Sequence, residues 1–129
     1  SPDEILTGWV QGKEASVLEE RLAAVSQELP QITGFRFRAI LGQIPFHIEV
    51  DFLFFTGAET FPVQLDGEWV HRTAADRAHQ ILQDIRLDEL LEGQARPVSR
   101  VIERLGRTPD VARETLLQLI NGRIYKPYA

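Results

Sequence analysis

Two aspartates stand where carboxylates are hard to place. Asp51 lies in FHIEVDFLFF, residues 46–55, and Asp66 in FPVQLDGEWVH, residues 61–71; both runs are rich in β-forming apolar residues. A carboxylate moved from water into such surroundings is disfavoured unless a cation or hydrogen-bond donors meet it. Period-two alternation puts Glu49 and Asp51 on one face with His47 and Leu53, and Ile48, Val50, Phe52 and Phe54 on the other. In the second run Gln64 and Asp66 share a face with Pro62, opposite Val63 and Leu65. Each residue has two readings. Asp51 is either a cation ligand or a hairpin-edge carboxylate paired with Arg36 or Arg38. Asp66 is either a ligand or the turn former of Asp66-Gly67, since Asp-Gly is a strong hairpin signal. Glu49 is a further ligand or the cross-strand partner of an arginine. His71 is a catalytic group or a local hydrogen-bonder.

These residues need a scaffold, and the chain signals one. The two runs flank the Gly-containing TGAET segment and read as a β-hairpin. Upstream, Ser16 to Leu29 reads as a helix: Ser16 and Glu19 form a capping box, Leu18, Leu22, Val25 and Leu29 recur at helical spacing, and Pro30 stops it. FRFRAIL, residues 35–41, alternates Phe35 and Phe37 with Arg36 and Arg38, a half-buried strand with both arginines on its polar face. After Gly67 the period changes to helical, Thr73 and Asp76 cap, and Ala74, Ala78, Ile81, Leu82 and Ile85 form the expected buried stripe. Arg72, Arg77, His79, Gln80 and Asp84 occupy its other faces. VSRVIERL, residues 98–105, favours a strand through its valines and isoleucine. Thr108-Pro109-Asp110 starts a last helix that ends at Asn121-Gly122. The order is α-β-β-β-α-β-α, which predicts an α/β domain with a mixed sheet flanked by helices. Residues 1–12 form an N-terminal extension and 123–129 a loosely held tail.

The 129 residues suit one domain, and 43% hydrophobic with 26% charged residues is ordinary for a globular protein. With no cysteine, disulfides, thiolate metal sites and cysteine nucleophiles are excluded. Lack of cysteine and of a signal-peptide pattern suggests a cytoplasmic protein, and no apolar run is long enough to span a membrane. The chain begins at Ser1 and holds no methionine, which points to a piece of a larger polypeptide. A net charge of −5 argues against gripping DNA by phosphate neutralisation alone. It argues less against an acidic site that holds a divalent metal, because the metal brings its own positive charge.

VDFLF followed by PVQLDGEWVH, within an α-β-β-β-α-β order, resembles the PD-(D/E)XK nuclease superfamily. More narrowly, these two segments resemble the branch related to very-short-patch-repair endonucleases and their small restriction-endonuclease-like relatives. The resemblance spans about residues 16–105 and implies a restriction-endonuclease-like core with an added C-terminal helix. It implies Mg²⁺- or Mn²⁺-dependent hydrolysis of DNA phosphodiesters, with Asp51 and Asp66 as metal ligands and Gln64 and His71 completing the catalytic set. Glu19 or Glu20 would match an acidic residue on the first helix. Arg36, Arg38, Arg72 and Arg77 would track the DNA backbone if they converge. Gln64 departs from the family's usual Glu, and Asp66 stands where the wider superfamily has Lys. A carboxamide brings no charge and cannot act as a base, so the same fold without catalysis, serving as a binding or assembly module, is the alternative.

Overall fold

In a computed structural model, residues 4–67 and 73–128 are described. A small antiparallel hairpin of β1 (Trp9–Val10) and β2 (Lys13–Glu14) precedes helix α1 (Val17–Glu28). Strands β3 (Gly34–Leu41), β4 (Ile48–Phe55) and β5 (Thr60–Asp66) follow, then α2 (Ala74–Leu90) and β6 (Ser99–Ile102). A 3₁₀ turn (Glu103–Gly106) leads into α3 (Pro109–Ile120). The main sheet runs in the order β3-β4-β5-β6. Its first two pairings are antiparallel and β5-β6 is parallel, so the domain is mixed α/β.

Local chemistry fixes the helices. Ser16 Oγ accepts from the Glu19 N–H at 3.1 Å, and the Glu19 carboxylate accepts from the Ser16 N–H at 2.8 Å, the reciprocal capping box. Thr73 and Thr108 cap α2 and α3 through the N–H groups of Asp76 and Val111. Past α3, Gly122 takes φ +101°, the Gly122 N–H bonds Leu119 O, and the Arg123 N–H bonds Gln118 O. Those paired bonds satisfy the last carbonyls of the helix and reverse the chain.

One face of the sheet carries Phe37, Phe52, Phe54, Phe61, Val63 and Val101, packed against Leu22 and Val25 of α1 and Leu116 and Leu119 of α3. The other face holds a smaller cluster: Ala39, Ile48, Val50 and Leu53 against Leu87 of α2, with Val98. Ile48 and Val50 therefore pack with Leu53 and not with Phe52 and Phe54, which corrects the alternation expected from the sequence. The phase breaks at Asp51, opposite Arg38. Arg38 has φ +52°, and the regular register runs to Phe37↔Phe52 and resumes at Ala39↔Val50. A left-handed residue inside a strand turns the side-chain sequence over.

Two further expectations are corrected. In α2 the residues fully removed from solvent are Asp84 and Leu87, while Leu82 and Ile85 are exposed. The helix is rotated because Asp84 is drawn inward to Arg100. The tail is not loose: the Tyr125 N–H bonds Ser99 Oγ, Tyr125 O accepts from the Arg100 N–H, and Tyr128 Oη donates to Asp84. The outer edge of β3 is covered too, by Gln11 on Phe35 O and the Phe37 N–H and by Lys13 Nζ on Phe37 O.

Candidate functional site

Strands β4 and β5 pair through their backbones from Phe52↔Val63 to Phe55↔Thr60. Beyond Phe52 they separate, and side chains bridge the gap. Gln64 Oε1 accepts from the Asp51 N–H at 3.0 Å, and Gln64 Nε2 donates to Glu49 O at 3.0 Å. In return Asp51 Oδ2 accepts from the Leu65 N–H at 2.7 Å. One carboxamide thus stands in for two ladder bonds, so these part-buried backbone groups at the fork are satisfied while the strands stay apart. The Asp51 carboxylate sits in that fork and retains partial exposure.

The fork is electrostatically tense. Burial pushes the Asp51 carboxyl up to about 6, against the pull of the Leu65 N–H. Glu19 and Glu49 add to the rise and Arg100 opposes it. Of the acidic pair on α1, Glu19 is the one that bears on Asp51, and it also meets Arg38 Nη2 at 3.4 Å. Glu20 is buried and committed to the N-terminal segment, where the N–H groups of Thr7 and Gly8 hold its carboxyl below the usual range.

Beside the fork lies a buried polar cluster. The Asp66 carboxylate, 1% exposed, has Arg100 Nη1 at 3.8 Å. Arg100 binds Asp84 through two nitrogens at 2.9 and 2.8 Å, and Tyr128 Oη adds a bond to Asp84 at 3.1 Å. Sequence reasoning left Arg100, Asp84 and Tyr128 out of the site. For Arg100 the signal was present: like Asp51, it is a charge in the middle of an apolar strand.

The structure brings Asp51 and Gln64 into direct contact and puts Asp66 two residues further along β5, engaged with Arg100. His71 and Arg72 lie outside the described residues. Arg36 and Arg38 do not share a face. Arg38 reaches Glu19 on α1, whereas Arg36 alternates with Phe35 and Phe37 and so points to the side of α2. Arg77 is in the first turn of α2, half-buried.

Among the described residues no three His, Cys, Asp or Glu side chains gather closely enough to form a metal site by themselves. Mg²⁺ does not require that, since it is commonly held by one or two carboxylates with water and substrate phosphate oxygens completing the shell. Asp51 fits that role: it is a partly exposed carboxylate among further acidic groups, in a gap between strands. Among the described residues no helix is long and apolar enough to cross a membrane. The chain matches no protein-family model, no curated protein and no solved structure.

Proposed function

We propose that this chain is a restriction-endonuclease-like domain that hydrolyses DNA phosphodiesters with Mg²⁺, centred on Asp51. The observation that carries the reading is the β4-β5 fork, with a carboxylate held inside it under the influence of Glu19 and Glu49. The α-β-β-β-α-β order is the one the sequence resemblance implies, which adds support.

Each residue at the fork has a defined task. The Leu65 N–H aims the Asp51 carboxylate, and Gln64 fixes the Asp51 backbone and keeps the strands apart. Asp51 binds a cation only when ionised, so binding strengthens as pH rises through about 6. When bound, Mg²⁺ would neutralise phosphate charge and activate a water for in-line attack. Arg100, buried beside Asp66, supplies positive charge near the fork from β6, where the superfamily's Lys is missing from β5.

The test is cleavage of plasmid and linear DNA with Mg²⁺ or Mn²⁺. Wild-type chain is expected to cut and Asp51→Asn to lose the activity; cutting retained by that variant removes Asp51 from the mechanism. A second reading, the non-catalytic module, is favoured by Gln64, whose amide is bonded at both ends, and by the burial of Asp66. Calorimetry showing no Mn²⁺ binding at millimolar metal, together with no cutting, would establish it.

A further inference from the structure

A cavity of about 260 Å³ opens between the end of β6 and the C-terminal tail, walled by Ile102, Arg104, Arg123, Tyr125 and Lys126 among others. Its charged walls are all cationic, and no carboxylate lines it among the described residues. This is unexpected in a chain whose net charge is −5. Arg104 and Arg123 are both exposed and make no ion pair among the described residues. Lys126 is shared with Asp88 at 3.3 Å. The Arg123 guanidinium lies 4.5 Å from the centre of the Tyr125 ring, which restricts its plane before any ligand arrives. A concave surface lined by one sign of charge concentrates field and attracts the opposite sign. Guanidinium forks match phosphate oxygens in particular.

The position of the cavity relative to the fork narrows the ligand. In the parallel β5-β6 register Gln64 is opposite Arg100 and Asp66 opposite Ile102, so the cavity begins one strand beyond the fork, at the same end of the sheet. β6 is the second strand from β4 across the sheet, with β5 between them. A nucleic-acid strand carries a phosphate at every nucleotide, so a strand whose scissile phosphate lies at Asp51 presents further phosphates toward that end of the sheet.

We infer that this cavity is a phosphate subsite in which Arg104, Arg123 and Lys126 hold a backbone phosphate of the nucleic-acid strand whose scissile bond lies at Asp51. The inference rests on the nuclease reading for its geometry. It replaces the Arg36, Arg38 and Arg77 set as the main backbone contact, because those three are divided between the faces of the sheet.

The test is fluorescence anisotropy of a labelled DNA duplex with the full chain, without divalent metal and over a salt series. Arg104→Glu with Arg123→Glu is expected to weaken binding at least about tenfold and lower the salt slope by about one to two. Arg107→Glu with Arg113→Glu changes net charge equally, away from the cavity, and should leave affinity within about twofold. Equal weakening by both pairs would overturn the subsite in favour of a diffuse charge effect. So would displacement of the duplex by inorganic phosphate at a concentration matching the duplex's own affinity, which indicates a small-anion site. Circular dichroism checks folding, and Arg104→Gln alone gives the same readout if the double variant does not fold. Failure of the two proposals can be told apart. Binding through Arg104 and Arg123 without any cleavage sinks the catalytic reading and leaves the subsite. Cleavage with the double variant's affinity unchanged sinks the subsite alone.

Discussion

The two faces of the sheet are held by opposite means. Under α1 and α3, Phe35, Phe37, Phe52, Phe54 and Phe61 form a continuous aromatic layer, with neighbouring ring centroids 5.0 to 6.1 Å apart. Under α2 the apolar cluster is smaller, and Asp66, Arg100 and Asp84 are buried next to it. Apolar burial is non-directional and tolerates many arrangements of similar volume. A buried ion cluster tolerates few, because each charge must be met by a partner in the right place. The aromatic face supplies stability, and the polar face determines how α2, β6 and the tail are set against the fork.

The largest effects should come from striking each face at its centre. Phe54→Ala removes a fully buried ring and is expected to cost about 3–5 kcal/mol in urea denaturation. Arg100→Met should cost about as much at neutral pH, since it removes the guanidinium that two buried carboxylates, Asp66 and Asp84, face. The pH response separates the causes. Buried negative charge that has lost its cation is relieved by protonation, so lowering the pH should recover stability relative to wild type. The Phe54→Ala deficit should stay flat over the same range. If both deficits are flat, the polar face is not held by charge and the contrast between the faces fails.

Gln64→Leu probes the boundary between the faces. It keeps the volume but leaves the Asp51 N–H and Glu49 O without their bonds, and a loss of about 2–4 kcal/mol is expected. Hydrogen exchange at Asp51 should accelerate while that at Phe54 does not. Unchanged exchange at Asp51 would mean that β4 and β5 close on each other when the carboxamide is gone.

The sequence was most legible where structure is decided within a few residues. Ser16 with Glu19, Thr108 with Pro109, and Asn121-Gly122 are complete local signals: α1 begins at the first, and α3 begins and ends at the other two. The strands of the hairpin were legible too, through their β-branched and aromatic content. What was not legible depends on partners distant in the chain. Asp84 looked like a solvent-facing helix residue because nothing within a turn of it shows that Arg100 will draw it inward. The turnover at Asp51 was hidden because Arg38, a residue with no preference for positive φ, creates it from the neighbouring strand. The unusual setting of Asp51 was visible, since a carboxylate between Val50 and Phe52 stands out without any distant partner.

Asp51→Asn should stabilise the protein, the reverse of what Arg100→Met does to the buried face. The folded chain keeps the Asp51 proton up to about pH 6, whereas the unfolded chain releases it near 3.8. Wild-type stability therefore falls as pH rises between those values, because the folded state binds more protons there. A shift of that size corresponds to at most about 3 kcal/mol, and about 1–3 is expected once partial exposure is allowed for. Asparagine can still accept from the Leu65 N–H without the charge. The gain should be full above pH 6 and vanish below 3.8, read from urea midpoints at several pH values. A gain independent of pH would mean that relief of charge is not its source.

The smallest effect belongs to Glu19→Gln, which sharpens the comparison at the point where the aromatic side meets the fork. Glutamine can still close the capping box with Ser16, so α1 should keep its start and global stability should change by less than about 0.5 kcal/mol. The negative charge that helps raise the Asp51 carboxyl is gone, so that carboxyl should titrate below its present value near 6. Carbonyl-detected NMR titration of Asp51 reads the shift directly, and any metal-dependent cleavage should move its acidic limb in the same direction. A titration that stays in place would mean that burial sets the Asp51 proton affinity without α1, and that Glu19 serves only the helix start.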